Sequence, residues 1–304
     1  MENGRLLITG SNGFLGNNLV NYFASNGYEI FGTDLSGSPL NPNILYLKGD
    51  LTDPDFTDNL FDKVDPQIVI NTVALVDMDL CEIDKHLAYR INVLTAENVA
   101  KSANKFGKRM IHISTDHFFC GDRSFYKEDD LPDPVNNYGK TKLEGEKKCL
   151  GCNPNTVVVR TNFYGWSHPR HKITFGEWMY ESLARKKPVE LFTDYYFTPI
   201  EVTALAAAIE LVMESDYKGV INIAGAERCS KYEFGIAMAE VFDLDASSVK
   251  PIKMRPDSFK VKRQQDLSLS IEKFIGIFGM KLPNVKAGLL RFKAAKPEGY
   301  KKNE

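Results

Sequence analysis

Cysteine is scarce and scattered. Five residues in 304 (Cys81, Cys120, Cys149, Cys152 and Cys229) are odd in number and mostly far apart, which excludes a disulfide framework and fits a reducing compartment. Only Cys149 and Cys152 lie close together, and without a second such pair neither a zinc site nor a thioredoxin-like motif is expected. No run of about 18 apolar residues occurs, so no membrane span is expected. The opening MENGRLLITGSNG has no basic leader and no apolar core, and the chain reads as cytoplasmic. An excess of one charge is missing too. The 38 basic and 40 acidic side chains leave a formal charge of -2, which gives no global attraction for nucleic acid or an anionic membrane. Any anionic ligand must be met by a local site. The five histidines show no ligand spacing with a carboxylate, the polar loop from His168 to His171 included, so no metal is expected.

What is present is an alternation of two periods. Short apolar or β-branched runs stand at 5–9 (RLLIT), 28–33 (YEIFGT), 44–47 (ILYL), 67–72 (QIVINT), 109–114 (RMIHIS) and 156–160 (TVVVR), as parallel strands covered on both faces require. Between them 14–26, 86–106 and 137–150 carry helical spacing, with Leu87, Ile91, Val99 and Ala103 on one side of the second. Strand, helix, strand repetition predicts a doubly wound parallel sheet with right-handed crossovers. After Arg160 the rhythm loosens. Helices are expected over 174–185, 201–214 and 231–242, the last capped by Ser230, with strands at 189–192 and 219–224. The final KAAKPEGYKKNE, short of apolar residues, reads as a frayed tail over 293–304.

The first strand runs into Thr9-Gly10-Ser11-Asn12-Gly13-Phe14-Leu15-Gly16 and a helix follows at once. Glycines there permit a tight turn and close backbone approach to a pyrophosphate, while the helix N-terminus supplies N–H donors. Asp34 closes the second strand 18 residues after Gly16, where a carboxylate accepts both ribose hydroxyls of NAD and repels the 2′-phosphate of NADP. No Arg or Lys lies in 11–18 or 33–43 to welcome that phosphate, so NAD(H) is favoured over NADP(H). Asp50 and Leu51, after the third strand, are candidates for an adenine edge.

Tyr138 and Lys142 share one face of a predicted helix, one turn apart. An ammonium beside a phenol is expected to lower the phenol's pKa toward the range that general acid-base chemistry uses. Ser114 and Thr115 end the strand before it, and active sites of open α/β sheets lie at the carboxyl ends of the strands.

The set TGSNGFLG, GDLTD, STDHFFCG and YGKTK resembles the extended short-chain dehydrogenases/reductases. Its order is similar to dTDP-4-dehydrorhamnose reductases, and the likeness continues through RTNFYGW, FTPIEVTALA and RQQDLSLSIEK over about residues 5 to 280. The resemblance implies a Rossmann-fold cofactor domain over 1–160 and a smaller C-terminal α/β substrate-binding lobe over 161–292, some of whose segments return to the sheet. It implies an NAD(P)-dependent oxidoreductase in which Tyr138 protonates the C4 carbonyl oxygen of a nucleotide-linked 4-keto-6-deoxy sugar. Lys142 would hold the nicotinamide ribose, and Thr115, with Ser114 beside it, would bond the substrate oxygen. Thr72, Val73 and Ala74 match the family's cofactor-lining turn, and Val76 and Met78 match positions near the sugar. Asn162 and Phe163 match the start of the lobe, and Arg263 matches an arginine able to neutralise a diphosphate, unless it pairs with Asp266 or Asp257.

The chain departs from that pattern at five places. Gln264 stands where the family has proline, Cys120 where it has aspartate, Phe163 where some members have tryptophan, and Asp34 where NADP-using members lack an acid. Asn18 occupies a position at which some relatives carry a glutamate of a dimer-bridging magnesium site, so that metal is not expected, and a homodimer stays open. Two alternatives to the reductase remain: an epimerase that retains its NAD, and a non-catalytic regulatory subunit, since the beta subunit of methionine adenosyltransferase resembles the same family.

Overall fold

The computed structural model describes residues 4–35, 37–167, 173–255, 257–297 and 300. In chain order the first half contains β1 (Arg5–Thr9), α1 (Phe14–Ser25), β2 (Glu29–Asp34), β3 (Leu45–Lys48), α2 (Pro54–Val64) and β4 (Ile68–Asn71). Then come α3 (Met78–Ile83), α4 (Lys85–Tyr89), a π-helical turn over Arg90–Leu94, α5 (Thr95–Lys105), β5 (Arg109–Ile113), α6 (Asn137–Cys152) and β6 (Thr156–Arg160). The second half contains β7 (Phe163–Tyr164), α7 (Phe175–Ala184), β8 (Val189–Phe192), β9 (Tyr196–Phe197), β10 (Ile200–Glu201) and α8 (Val202–Met213). It ends with β11 (Gly219–Asn222), β12 (Cys229–Ser230), α9 (Lys231–Phe242), β13 (Val249–Ile252), α10 (Glu272–Phe278) and α11 (Val285–Ala294).

Seven strands form one sheet in the order β11-β6-β5-β4-β1-β2-β3, every neighbouring pair parallel. This is the doubly wound α/β fold that the alternating periods predict. Its interior strands are apolar runs because helices cover both faces. Leu19, Val20 and Phe23 of α1 pack with Leu205, Ile209 and Val212 of α8 on one face. Leu60, Phe61 and Val64 of α2 pack with Val99 and Ala103 of α5 on the other. Strand order reverses between β1 and β4, which opens a crevice at their carboxyl ends.

Several elements, α3, β13, α10 and α11 among them, were not expected from the sequence, and three differences bear on the site or its surroundings. Helix α2 was not expected; Asp53 caps it by accepting from the Asp55 N–H, and Pro54 stands at its first position, where a missing N–H costs nothing. The helix expected over 86–106 is broken by the π turn, which directs Asn92 inward. Its Oδ1 accepts from the Leu75 N–H (2.8 Å) and its Nδ2 donates to Thr141 Oγ1 (3.1 Å), tying the turn after β4 to α6. Of the segment read as a frayed tail, Lys293 and Ala294 close α11, and the Tyr300 ring centroid lies 4.5 Å from that of Trp166. Residues 168–172, with His168 and His171, and residues 301–304 lie outside the described ones.

The second half forms its own apolar core around Tyr164, Trp166, Tyr180, Phe234 and Phe292, with β8 pairing β13. It also lends β11 to the large sheet, beside β6. Among the described residues no helix is long and apolar enough to cross a membrane.

Candidate active site

At the carboxyl end of β1, Gly10 adopts φ +69°, a left-handed turn that favours glycine. Its N–H and that of Ser11 both donate to the Thr33 carbonyl of β2, so the loop lies tight against the sheet. A Cβ on Gly16 would fall 2.0 Å from the Gly10 carbonyl oxygen; only a glycine lets α1 approach so closely. Gly13 caps α1 without any side-chain bond, and the first-turn N–H groups of Phe14, Leu15 and Gly16 stay free for an anion. Asp34 stands beside this turn, accepting from the Asn12 N–H (3.2 Å) and the Leu35 N–H (2.8 Å). Asp50 accepts from the Thr52 N–H and lies 3.7 Å from Arg90, while Leu51 is buried behind it. Thr72 donates to the Thr9 carbonyl (2.7 Å), and Val73 follows it against Gly10. These residues fit a dinucleotide: a bare helix N-terminus for the pyrophosphate, an acid for the ribose.

A cleft of about 580 Å³ continues from this end, within the size of small-molecule sites. Leu15, Thr72 and Ala74 line its cofactor side, and Ser114, Thr115, Tyr138 and Lys142 its floor. Val76, Met78, Asn162, Phe163 and Arg263 line it as well. The remaining glycine-loop residues, Asp34, Asp50, Leu51 and Val73 lie outside this cleft.

Asn136 caps α6 by accepting from the Gly139 N–H (2.9 Å), which sets Tyr138 in the first turn. Lys142, one turn on, donates to the Ile113 carbonyl at the end of β5 (2.9 Å). Burial lowers the Lys142 ammonium to about 8, with Glu146 opposing the shift. For Tyr138 the direction is opposite to the sequence expectation. Burial raises the phenol well above its usual value, the Thr115 hydroxyl bond partly offsets this, and the Asp116 carboxylate adds to it. The Lys142 ammonium is spent on a backbone carbonyl, so the phenol keeps its proton. The Ser114 hydroxyl is buried without a partner.

The RmlD substrate binding domain pattern matches residues 4–296. The chain belongs to this family. It is 28% identical over 291 residues to a probable low-salt glycan biosynthesis reductase of Haloferax volcanii, covering 95% of this chain and 97% of that one. It is 31% identical to the methionine adenosyltransferase 2 subunit beta of Xenopus tropicalis, over 83% of this chain and 76% of that one. The dTDP-4-dehydrorhamnose reductase of Bacillus anthracis, solved in complex with NADP, superposes with a TM-score of 0.86 at 25% identity, covering 97% of this chain and all of that one.

Within this RmlD-family chain, the departures from the family pattern have visible consequences. The Cys120 and Gln264 loops meet: a Cβ on Gly121 would touch the Gln264 side chain at 2.8 Å, and Gln264 donates to the His117 carbonyl (2.9 Å). Asn18 bonds the Phe14 and Trp166 carbonyls, and Phe163 packs on Phe14 with centroids 5.6 Å apart. Arg263 pairs with neither proposed acid, because Asp266 binds Arg228 and Asp257 lies near Arg255. Its guanidinium instead covers the Phe259 ring at 4.2 Å, with Nε buried and unpartnered.

Among the further residues that line the cleft, three polar ones had no role assigned from the sequence. Asp116, buried, accepts from Asn162 Nδ2 (2.7 Å) and from Thr115 Oγ1 (3.3 Å), linking the floor to the lobe. His117 stands edge-on to Tyr138 at 5.7 Å, and burial lowers its pKa. Both lie in STDHFFCG, so the motif itself carried the signal. Lys231 lies in GVINIAGAERCSKYEF, a segment that the family likeness also covers, but the sequence reading drew no role from it.

Proposed function

We propose that the protein is an NAD(P)H-dependent reductase of a nucleotide-linked 4-keto-6-deoxy sugar, working with the residues that the resemblance implies. The convergence of Thr115, protonated Tyr138 and Lys142 in one cleft beside the glycine loop carries this reading. The nicotinamide, when bound, supplies hydride to C4. Tyr138 donates its phenolic proton to the carbonyl oxygen as charge develops there, which is why a phenol kept protonated suits reduction rather than oxidation. Thr115 hydrogen-bonds the same oxygen, aided by Ser114. Lys142 orients the nicotinamide ribose. Gly10, Asn12, Gly13, Phe14, Leu15 and Gly16 hold the pyrophosphate, Asp34 the ribose, Asp50 and Leu51 the adenine edge, and Thr72, Val73 and Ala74 the nicotinamide half. Val76, Met78, Asn162, Phe163 and Arg263 receive the sugar nucleotide.

The test is NADH oxidation, followed by absorbance, with dTDP-, UDP-, GDP- and CDP-linked 4-keto-6-deoxy sugars made in place by dehydratases. Stoichiometric NADH loss with one of them is expected. Silence with all four in a protein that still binds NADH overturns the reductase reading. It would favour a regulatory subunit, the reading supported by the relationship to the methionine adenosyltransferase 2 beta subunits.

Asp34 is expected to set NADH preference. Asp34→Ala removes a charge-assisted acceptor from the ribose, so the ratio of kcat/KM for NADH to that for NADPH should fall about tenfold or more. An unchanged ratio would remove Asp34 from the ribose site.

A further inference from the structure

Nothing in the reaction above uses Lys231, yet its side chain lines the same cleft as Tyr138 and Arg263. A reciprocal cap between Ser230 and Glu233 fixes it at the first position of α9, and its N–H donates to the Tyr195 carbonyl (3.0 Å). The ammonium lies 3.2 Å from the Phe197 ring centroid, 4.4 Å from Phe175 and 5.4 Å from Tyr195. Ring faces stabilise a cation but supply no anion. Among the described residues no carboxylate reaches ion-pair distance of its Nζ. Arg263 repeats the arrangement over Phe259, with Nε buried and unbonded. Of the two acidic side chains that line the cleft, Asp116 is buried and already engaged by Asn162 and Thr115, and Glu190, on β8, is exposed. Two aromatic-backed cations therefore share a cleft that holds no free buried anion.

We propose that Lys231 is a substrate-binding cation that, with Arg263, takes the anionic oxygens of the substrate's diphosphate and sets affinity for it. The inference rests on the sugar-nucleotide reading, which supplies that diphosphate.

The electrostatics add a signature. Burial lowers Lys231 to about 7; Asp116 and Cys229 draw it upward and Arg263 pushes it down. His117 shares Asp116 and Arg263 with it and is itself lowered by burial, while burial raises the Tyr195 phenol to about 12, so it stays neutral. The Lys231 charge is thus present below about pH 7 and lost above it, and an arriving diphosphate restores it. Diphosphate binding should weaken as pH rises through 7, and binding at pH 8 should draw in a proton.

Calorimetric titration of the protein with UDP-glucose and dTDP-glucose, whose doubly esterified diphosphates do not titrate near neutral pH, at pH 6.5 and pH 8 in two buffers of different ionisation enthalpy, reads both effects without turnover. Lys231→Met should weaken binding at pH 6.5 about tenfold or more, the loss of one charge-assisted bond, and abolish both the pH dependence and the proton uptake. Lys231→Arg should restore affinity and hold it level with pH, because a guanidinium does not titrate there. A thermal melt confirms that each variant is folded. Wild-type affinity and pH slope in Lys231→Met would overturn the inference and assign the slope to His117. If neither diphosphate binds the wild-type protein, the sugar-nucleotide reading fails first, and this inference with it.

Discussion

Tyr138→Phe should bind NADH like the wild-type protein and lose roughly two or more orders of magnitude in kcat, the scale of a general acid's contribution. The substitution removes one hydroxyl from a buried ring that packs with Cys81 and Ala88, so the fold should survive. The loss should appear in kcat and kcat/KM alike, because the bond to the carbonyl oxygen strengthens only as the proton moves. A variant that keeps most of its turnover would exclude Tyr138 as the proton donor and turn attention to His117, whose ring stands next to it.

Glu146→Ala should cost about 3–5 kcal/mol of stability, the usual cost of stranding a buried charge. Glu146 and Arg160 are both almost wholly buried, and the guanidinium meets the carboxylate through Nε and Nη2, the latter at 2.9 Å. The same guanidinium donates to the Glu128 carbonyl and lies over the Phe118 and Phe119 rings, at 4.8 and 5.7 Å. The pair therefore joins α6, β6 and the segment that leaves Thr115 and Asp116. Chemical denaturation would show the loss as a lower midpoint, and an unchanged midpoint would mean that solvent or a rearranged neighbour satisfies Arg160. Replacing both residues by apolar ones of similar volume should recover much of the loss, since the penalty lies in the orphaned charge rather than the absent bond.

The sheet was legible because strands covered on both faces need continuous apolar runs, and TVVVR and RLLIT are such runs. Helix α2 was not, because PDFTDNLFDKV spreads few apolar residues among acids; the Asp-Pro start was the available signal. The π turn has no sequence signature, and it is settled by what Asn92 bonds across the fold. In the site, residues on contiguous motifs could be named, while those that depend on distant partners could not. Lys231 gains its setting from Phe175 and Phe197, far away in sequence; Arg263 was named by its motif, but that it pairs with neither acid follows from Arg228 and Arg255 occupying them. The Tyr138 titration was misjudged for the same reason. Spacing on a helix says that two side chains are neighbours, and not that one of them has turned to a carbonyl on the strand below.

The position of β11 has a consequence for biosynthesis. On a ribosome, β1 to β6 emerge in the first 160 residues, and α8, which covers one face by packing on α1, only with residues 202–213. Until residues 219–222 follow, β6 offers its outer row of N–H and C=O groups to any passing strand, and part of the sheet's apolar face is bare. The nascent chain is therefore most open to mispairing in this interval, and a chaperone that engages it would be expected to let go only after Asn222 has docked beside Arg160.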